Sequence, residues 1–247
     1  MTRVVVLIPT YNEAENIVAA VTQVRAHLPQ ADVIVLDDAS PDGTGQIAEA
    51  MSEHDSHVSV IHRDTKNGLG AAYLDGFRHA LAHDYEVMIE FDADGSHPAE
   101  VLPQLVTAVH GDGVGLAIGS RWIEGGSVVD WPRHRLFLSR GGNTYARLLL
   151  GLSVRDSTAG FRAYRAECLR AIDLEAVKTK GYGFQVDMTR RVMHAGFGIV
   201  EIPIAFRERI LGQSKMSGAI ILEAMWMVTL WGMRRPFAYF QRGSSRA

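Results

Sequence analysis

The chain has 247 residues, 47% of them hydrophobic, a formal net charge of −3 and one cysteine. That is enough for one large α/β domain with a full core, and it excludes an internal disulfide. The charge is divided unevenly: residues 1–130 carry 6 Lys and Arg against 20 Asp and Glu, while residues 131–247 carry 19 against 8. An acidic first half suits a divalent cation, and a basic second half suits phosphates or an acidic lipid surface. Nucleic acid is disfavoured as a partner, because no basic–aromatic run or binding motif is present.

Short β-branched runs at 4–8, 33–36, 58–61, 87–91 and 115–119 predict strands, and the stretches 14–28, 44–53, 69–83 and 98–109 between them predict helices. The run at 4–8 is too short for a signal-peptide core and meets Pro9 at once, so a cytoplasmic location is expected. Apolar strands alternating with helices predict a Rossmann-like, mostly parallel sheet flanked by helices on both faces. Beyond Gly119 the pattern predicts a loop at 121–135, a helix at 136–150, a short helix at 166–172 that buries Cys168, a helix at 181–195 and a strand at 199–205. A polar loop at 207–217 and an apolar helix at 218–233 follow.

Ligands in such sheets bind outside the strand C-termini, and three polar loops fall there. Ile8-Pro9-Thr10-Tyr11-Asn12-Glu13 follows the first strand, Asp37-Asp38-Ala39-Ser40-Pro41-Asp42-Gly43-Thr44 the second, and Asp92-Ala93-Asp94 the fourth. Two carboxylates one residue apart can address one hard cation such as Mg²⁺ or Mn²⁺, with Ala93 turned away. A lone acidic turn is more often simply solvated, and Ser40-Pro41-Asp42-Gly43 is a turn signal whatever the function. A dinucleotide-binding dehydrogenase is disfavoured, because Pro9-Thr10-Tyr11 stands where a G-x-G-x-x-G loop would be.

With Asp92-Ala93-Asp94-Gly95-Ser96-His97-Pro98 and Gly119-Ser120-Arg121, the ordered set resembles the inverting family-2 glycosyltransferases of the GT-A fold. Trp131-x-x-x-Arg135-x-x-x-Ser139-Arg140 and Arg209-x-x-Gly212-x-Ser214-Lys215 narrow the resemblance to polyprenol-phosphate (dolichol-phosphate) mannose synthases. The resemblance implies transfer of mannose from GDP-mannose to a polyprenyl phosphate. Asp92, Asp94 and Ser96 would hold Mg²⁺ or Mn²⁺ at the donor diphosphate, with Ala93 between them. Pro9 and Tyr11 would pack beside the base, Asp38 would accept from its edge, and Glu13 from a ribose hydroxyl. Arg209 and Lys215 would add positive charge to the leaving group. Arg121 and Arg135 would grip the acceptor phosphate, since guanidinium forks match phosphate oxygens, and with Asp94 they form the expected catalytic set. The segment Asp156-Ser157-Thr158-Ala159-Gly160-Phe161-Arg162 would line the sugar pocket; Gln185 and Asp187, two apart on the predicted helix, would face the site, and His97 would serve the turn beside the cation. Alternatives are a UDP-glucose-dependent polyprenyl-phosphate glucosyltransferase and a non-catalytic binding subunit.

The helix at 218–233 would reach roughly 24 Å at about 1.5 Å per residue, short of the ~30 Å hydrocarbon core. Trp226 and Trp231 lie on it, and Phe237, Tyr239, Phe240, Arg234, Arg235, Arg242 and Arg246 follow. This pattern predicts a helix lying at a membrane interface, or packed on the domain and a membrane partner; burial of an all-round apolar helix in the core is the alternative. The chain thus divides into a catalytic domain at 1–217 and a membrane-interface helix with a basic tail at 218–247, peripheral on the cytoplasmic face.

Overall fold

A computed structural model describes residues 2–179, 181–208 and 218–233. The chain opens as β1 (Val4–Thr10), α1 (Ile17–His27), β2 (Asp32–Asp37), α2 (Thr44–His54), β3 (Val58–His62), α3 (Leu69–Ala82) and β4 (Val87–Glu90). A 3₁₀ turn at Ala99–Val101 leads into α4 (Leu102–Val109) and β5 (Val114–Ser120). Then come β6 (Ser127–Val128), α5 (Arg133–Leu150), β7 (Arg162–Arg165), α6 (Ala166–Ala171), α7 (Gly181–His194), β8 (Gly198–Pro203), β9 (Ala205–Phe206) and α8 (Gly218–Met233).

Seven strands form one sheet in the order β3-β2-β1-β4-β7-β5-β8, parallel except for β7, and β6 pairs with β9 in a small separate sheet. The central strands are apolar on both sides because both faces are covered. Val5, Leu7, Met88 and Leu116 face one core, shared with α3, α5 and α7. Val6, Ile8, Val35 and Ile89 face the other, shared with α1 and α4. Register places Thr10 beside Asp37 and Leu7 beside Glu90. The C-ends of β2, β1 and β4 therefore lie side by side on one sheet edge.

Three local readings change. The segment predicted as one helix at 98–109 begins as a 3₁₀ turn, because Pro103 sits at the start of α4, where a missing N–H costs nothing. Helix α5 begins at Arg133, just after Pro132, rather than at 136, which moves Arg135 from a loop onto a first helical turn. Strand β7 was not anticipated: Arg162-Ala163-Tyr164-Arg165 has no β-branched residue and two charges, yet it fills the slot between β4 and β5.

Its first residue explains why. Arg162 is fully buried, with Nε donating to Ala159 O (2.6 Å) and Nη2 to Ser157 O (2.7 Å). Nη1 donates to Gln185 O and Thr189 Oγ1, each at 3.0 Å. One side chain thus fastens the 157–159 segment and α7 to the sheet. Removing it strands several buried acceptors, which cost free energy when left unpaired. We expect Arg162→Ala to lower unfolding stability by about 3 kcal/mol or more, seen as a shift of the denaturant midpoint; a midpoint within a few tenths of a molar of the parent would contradict this account.

Candidate active site

The loops after β1 and β2 are built by their own polar side chains. Asp37 accepts from Thr10 Oγ1 (3.0 Å), Ser40 N (3.1 Å) and Ser40 Oγ (2.6 Å). Asp42 accepts from Ala14 N, Thr44 N and Thr44 Oγ1, so it serves the turn that joins the two loops. Asn12 and Ala39 both adopt left-handed backbone, at φ 57° and 53°. Alanine has no side-chain bond to offset that conformation, which costs roughly 1 kcal/mol, and such strain concentrates at ligand sites.

Asp38, with 6% of its surface exposed, is paired with the Arg63 guanidinium, and Arg63 Nε also donates to Asp75 (2.9 Å). Burial raises the Asp38 carboxyl above its ordinary value despite that partner. Lys66 Nζ sits 3.7 Å over the Tyr11 ring. Half-buried Glu13 accepts from Asn16 Nδ2 (2.8 Å), and half-buried Pro9 lies beside Leu36. The expected base and ribose residues, Pro9, Tyr11, Glu13 and Asp38, are therefore brought together. Arg63 and Lys66 were not anticipated; their signal was the polar Arg63-Asp64-Thr65-Lys66-Asn67-Gly68 run at a further strand C-end.

After β4, Asp92 and Asp94 remain part-exposed while Ala93 turns into the core. The Ala93 side chain is buried and turned away from the two carboxylates, so only its backbone is left to meet a ligand. Tyr73 OH donates to Asp92 Oδ1 (3.0 Å), and His97 Nε2 lies 3.4 Å from Asp92 Oδ2. Ser96 N donates to Asp94 Oδ1 (3.1 Å), which fixes the turn. Buried Tyr73 and Phe184 stack nearby, and desolvation holds the Tyr73 hydroxyl well above its usual range.

Gly160 closes this corner. A Cβ there would stand 3.6 Å from Asp92 Oδ2 and 3.9 Å from both Gln185 Nε2 and His97 Nε2. Gln185 lies at this corner, where its Nε2 donates to Glu90 Oε2 (2.6 Å). Glu90, the last residue of β4, is completely buried, and desolvation pushes its carboxyl up to about 8. Asp187, instead of facing ligand, pairs with Arg190 and Arg191 on its own helix.

On the other side of the 158–160 segment, the structure forms a cavity of about 100 Å³. Arg121, Trp131, Arg135, Ser139 and Thr158 make its polar end; Leu138, Tyr145, Val186, Met225 and Val228 line the rest. Arg121 and Asp156 were expected on the acceptor phosphate and the sugar. Instead Arg121 Nε and Nη2 donate to the two Asp156 oxygens at 2.7 Å each, and Arg121 N donates to Oδ2 at 2.9 Å. Both are buried, so Asp156 positions Arg121 rather than facing the sugar. Arg135 lies 4.0 Å from the Trp131 ring and pairs with Glu208. Helix α8 packs on α5 and α7 through Val228, Trp231 and a Tyr145–Thr229 hydroxyl contact (2.7 Å). The outer sides of α5 and α8 expose Phe137, Leu148, Trp226 and Met233. Arg209, Lys215 and the tail after 233 lie outside the described residues.

The family model for glycosyl transferase family 2 matches residues 5–173. The chain is 53% identical over 231 residues to an undecaprenyl-phosphate mannosyltransferase of Micrococcus luteus, covering 94% of each chain. It is also 53% identical to a polyprenol monophosphomannose synthase of Mycolicibacterium smegmatis, covering 94% of this chain and 88% of that one. A dolichol-phosphate mannosyltransferase of Pyrococcus furiosus is 35% identical over 90% of this chain, which spans 61% of that protein. Among solved structures, glucosyl-3-phosphoglycerate synthase from Mycobacterium tuberculosis, in complex with Mn²⁺, UDP-glucose and phosphoglyceric acid, superposes with a TM-score of 0.69 at 20% identity. It covers 95% of this chain and 81% of its own, a likeness of fold.

Glu90 sets a pH dependence. The fold holds its proton up to about pH 8, whereas an unfolded glutamic acid releases it near 4.5. The folded chain therefore binds more protons within that window, and this group's contribution to stability falls as pH rises through it. In metal-free protein, Glu90→Gln should gain Tm relative to the parent progressively from pH 5 to pH 8, in thermal scans of both. A constant Tm difference across that range would show that Glu90 does not titrate there.

Proposed function

The chain belongs to glycosyl transferase family 2, and we propose that it transfers mannose from GDP-mannose to the phosphate of a polyprenyl monophosphate, with inversion at the anomeric carbon. The relatives at 53% identity are named for mannosyl transfer to such lipids. The carrying observation is the cavity: an arginine-containing polar end, apolar walls from α5, α7 and α8, and the carboxylate corner of Asp92 and Asp94 reached across Thr158 and Gly160. A lipid phosphate needs all three features together. The same 53% identity favours mannose over the alternative glucose donor.

Asp38 and Glu13 offer carboxylates to the base and ribose, and Tyr11 with Lys66 flanks them. Asp92 and Asp94 offer hard oxygens suited to Mg²⁺ or Mn²⁺ shared with a diphosphate. Among the described residues no three metal-ligating side chains gather to hold an ion alone, which fits a cation that needs the donor's oxygens. When bound, the cation would neutralise the departing diphosphate. Tyr73 orients Asp92, and the Ser96 amide orients Asp94. Arg209 and Lys215 carry the further charge of this reading.

The acceptor is ionised near neutral pH, so its oxygen attacks without a general base. The new bond to the anomeric carbon forms as the bond to the diphosphate breaks, and GDP departs from the opposite face. Of the two arginines at the cavity among the described residues, Arg135 is the one placed to change partners. Its Glu208 partner is 39% exposed, and such pairs contribute about 0–1 kcal/mol. Arg121 is held in a buried pair whose disruption costs several kcal/mol. Arg135 therefore takes the phosphate in exchange for Glu208, while Arg121, fixed by Asp156, supplies a stationary charge behind it.

No described helix is long and apolar enough to cross a membrane. The exposed apolar sides of α5 and α8, beside the cavity, support peripheral contact with a lipid surface, and we place it on the cytoplasmic face, where a chain with one cysteine is suited to a reducing compartment.

Purified protein with GDP-mannose, Mg²⁺ and a short polyprenyl phosphate should yield polyprenyl phosphate mannose and GDP, and UDP-glucose should be a poor donor. Asp94→Asn should cut turnover by roughly 10²-fold or more without altering Tm; a variant with parental turnover and metal dependence would refute the metal assignment. For the membrane, Phe137→Ser with Trp226→Ser should reduce flotation with anionic liposomes while the protein stays folded. Unchanged flotation would move the contact elsewhere.

A further inference from the structure

Among the described residues, three buried N–H donors at or beside the polar end of this cavity have no hydrogen-bond partner: Trp122 Nε1, Trp131 Nε1 and Arg135 Nε. They are not scattered. The two indoles meet edge to face at 6.5 Å, Arg135 lies 4.0 Å from the Trp131 ring, and the Arg121 guanidinium sits 5.5 Å from Trp122 and 5.6 Å from Trp131. The nearby carboxylates do not answer them. Asp156 accepts from Arg121, and Glu208 is held on the other edge of Arg135, at Nη1. Buried donors are almost always satisfied, so a cluster of orphans calls for an acceptor that arrives with a ligand.

Trp131 is the indole of this cluster that lines the cavity. Its backbone is set on both sides, by Asp130 in the left-handed conformation (φ 60°) and by Pro132 (φ −60°) leading into α5. Packing against Phe206, 5.5 Å away, holds the ring as well. An indole can only donate, and here it does so beside a guanidinium whose Nε is also unmatched. We infer that Trp131 is a binding residue for the acceptor: its indole N–H donates to an oxygen of the polyprenyl phosphate, next to Arg135 Nε. This rests on the cavity being the acceptor site. It gives the Trp131-x-x-x-Arg135 spacing a physical meaning, because the strand-like entry and first turn of α5 present the two donors to one anion.

The contact separates the phosphate from its chain. Trp131→Phe keeps an aromatic face for Arg135 and Phe206 and deletes the donor. Titrating the full chain calorimetrically with a short soluble prenyl monophosphate, the matching prenyl alcohol and GDP-mannose isolates its effect. The variant should bind the prenyl phosphate roughly tenfold more weakly, with the alcohol and GDP-mannose within about twofold of the parent. In the unmutated chain, the assigned Trp131 indole proton should move downfield with the prenyl phosphate and stay in place with the alcohol, a measurement independent of how well the variant folds. Equal losses for phosphate and alcohol, unchanged phosphate binding, or an unmoved indole resonance would each overturn the inference. If the parent transferred no mannose while the phosphate-selective loss remained, the functional reading would fail and this contact would stand; mannosyl transfer with no phosphate-selective loss would do the reverse.

Discussion

A guanidinium can be buried only where its N–H groups find acceptors, and Arg162 meets that demand by drawing three parts of the chain together. It bonds the carbonyls of Ser157 and Ala159, the carbonyl of Gln185 and the hydroxyl of Thr189 from the strand between β4 and β5. Those segments carry Thr158 at the cavity beside Arg121, and Gly160 and Gln185 at the carboxylate corner. The two halves of the site hold their spacing because one cation is satisfied by both. Glu90 lies in the same buried network, and the nearby Arg162 charge offsets part of the burial that keeps its proton on.

The unequal burial of the ion pairs divides fixed parts from exchangeable ones. The pairs Arg121–Asp156 and Arg63–Asp38 are nearly inaccessible to water. Breaking either leaves an uncompensated charge, so they act as framework. The Arg135–Glu208 pair is partly wet and can be broken with little loss. A transferase that must bring one anion up to another needs positive charge that does not collapse onto its own acids, and graded burial supplies it.

Close approach of backbone matters as much as charge. At Gly160 a methyl group would meet Asp92, Gln185 and His97 only at ordinary contact distance, 3.6 to 3.9 Å, so the tight approach lies elsewhere. Gly70 lets α3 meet Phe184, since a Cβ there would stand 2.9 Å from that ring. Through this packing Tyr73 comes within reach of Asp92, so the angle of the Asp92 carboxylate depends on a helix-to-helix contact far along the chain.

The sequence by itself determined the parallel sheet, since β-branched runs of strand length alternate with helical stretches, and it determined the three polar loops, since turn residues follow each run at once. Pro9, Tyr11, Glu13, Asp38, Asp92 and Asp94 were legible for that reason: each lies within a few residues of a strand end, where chain direction alone fixes position. Tertiary structure decided what local pattern cannot carry. Strand β7 has a poor strand sequence and exists because neighbours on both sides supply its hydrogen bonds and its buried arginine is satisfied. Asp156 and Arg121 looked like separate ligand contacts, and only the fold shows each consuming the other, because they stand 35 positions apart in the chain. Glu90 read as one more residue of an apolar strand; its proton, its bond to Gln185 and its place beneath the site arise from burial against segments far away in sequence.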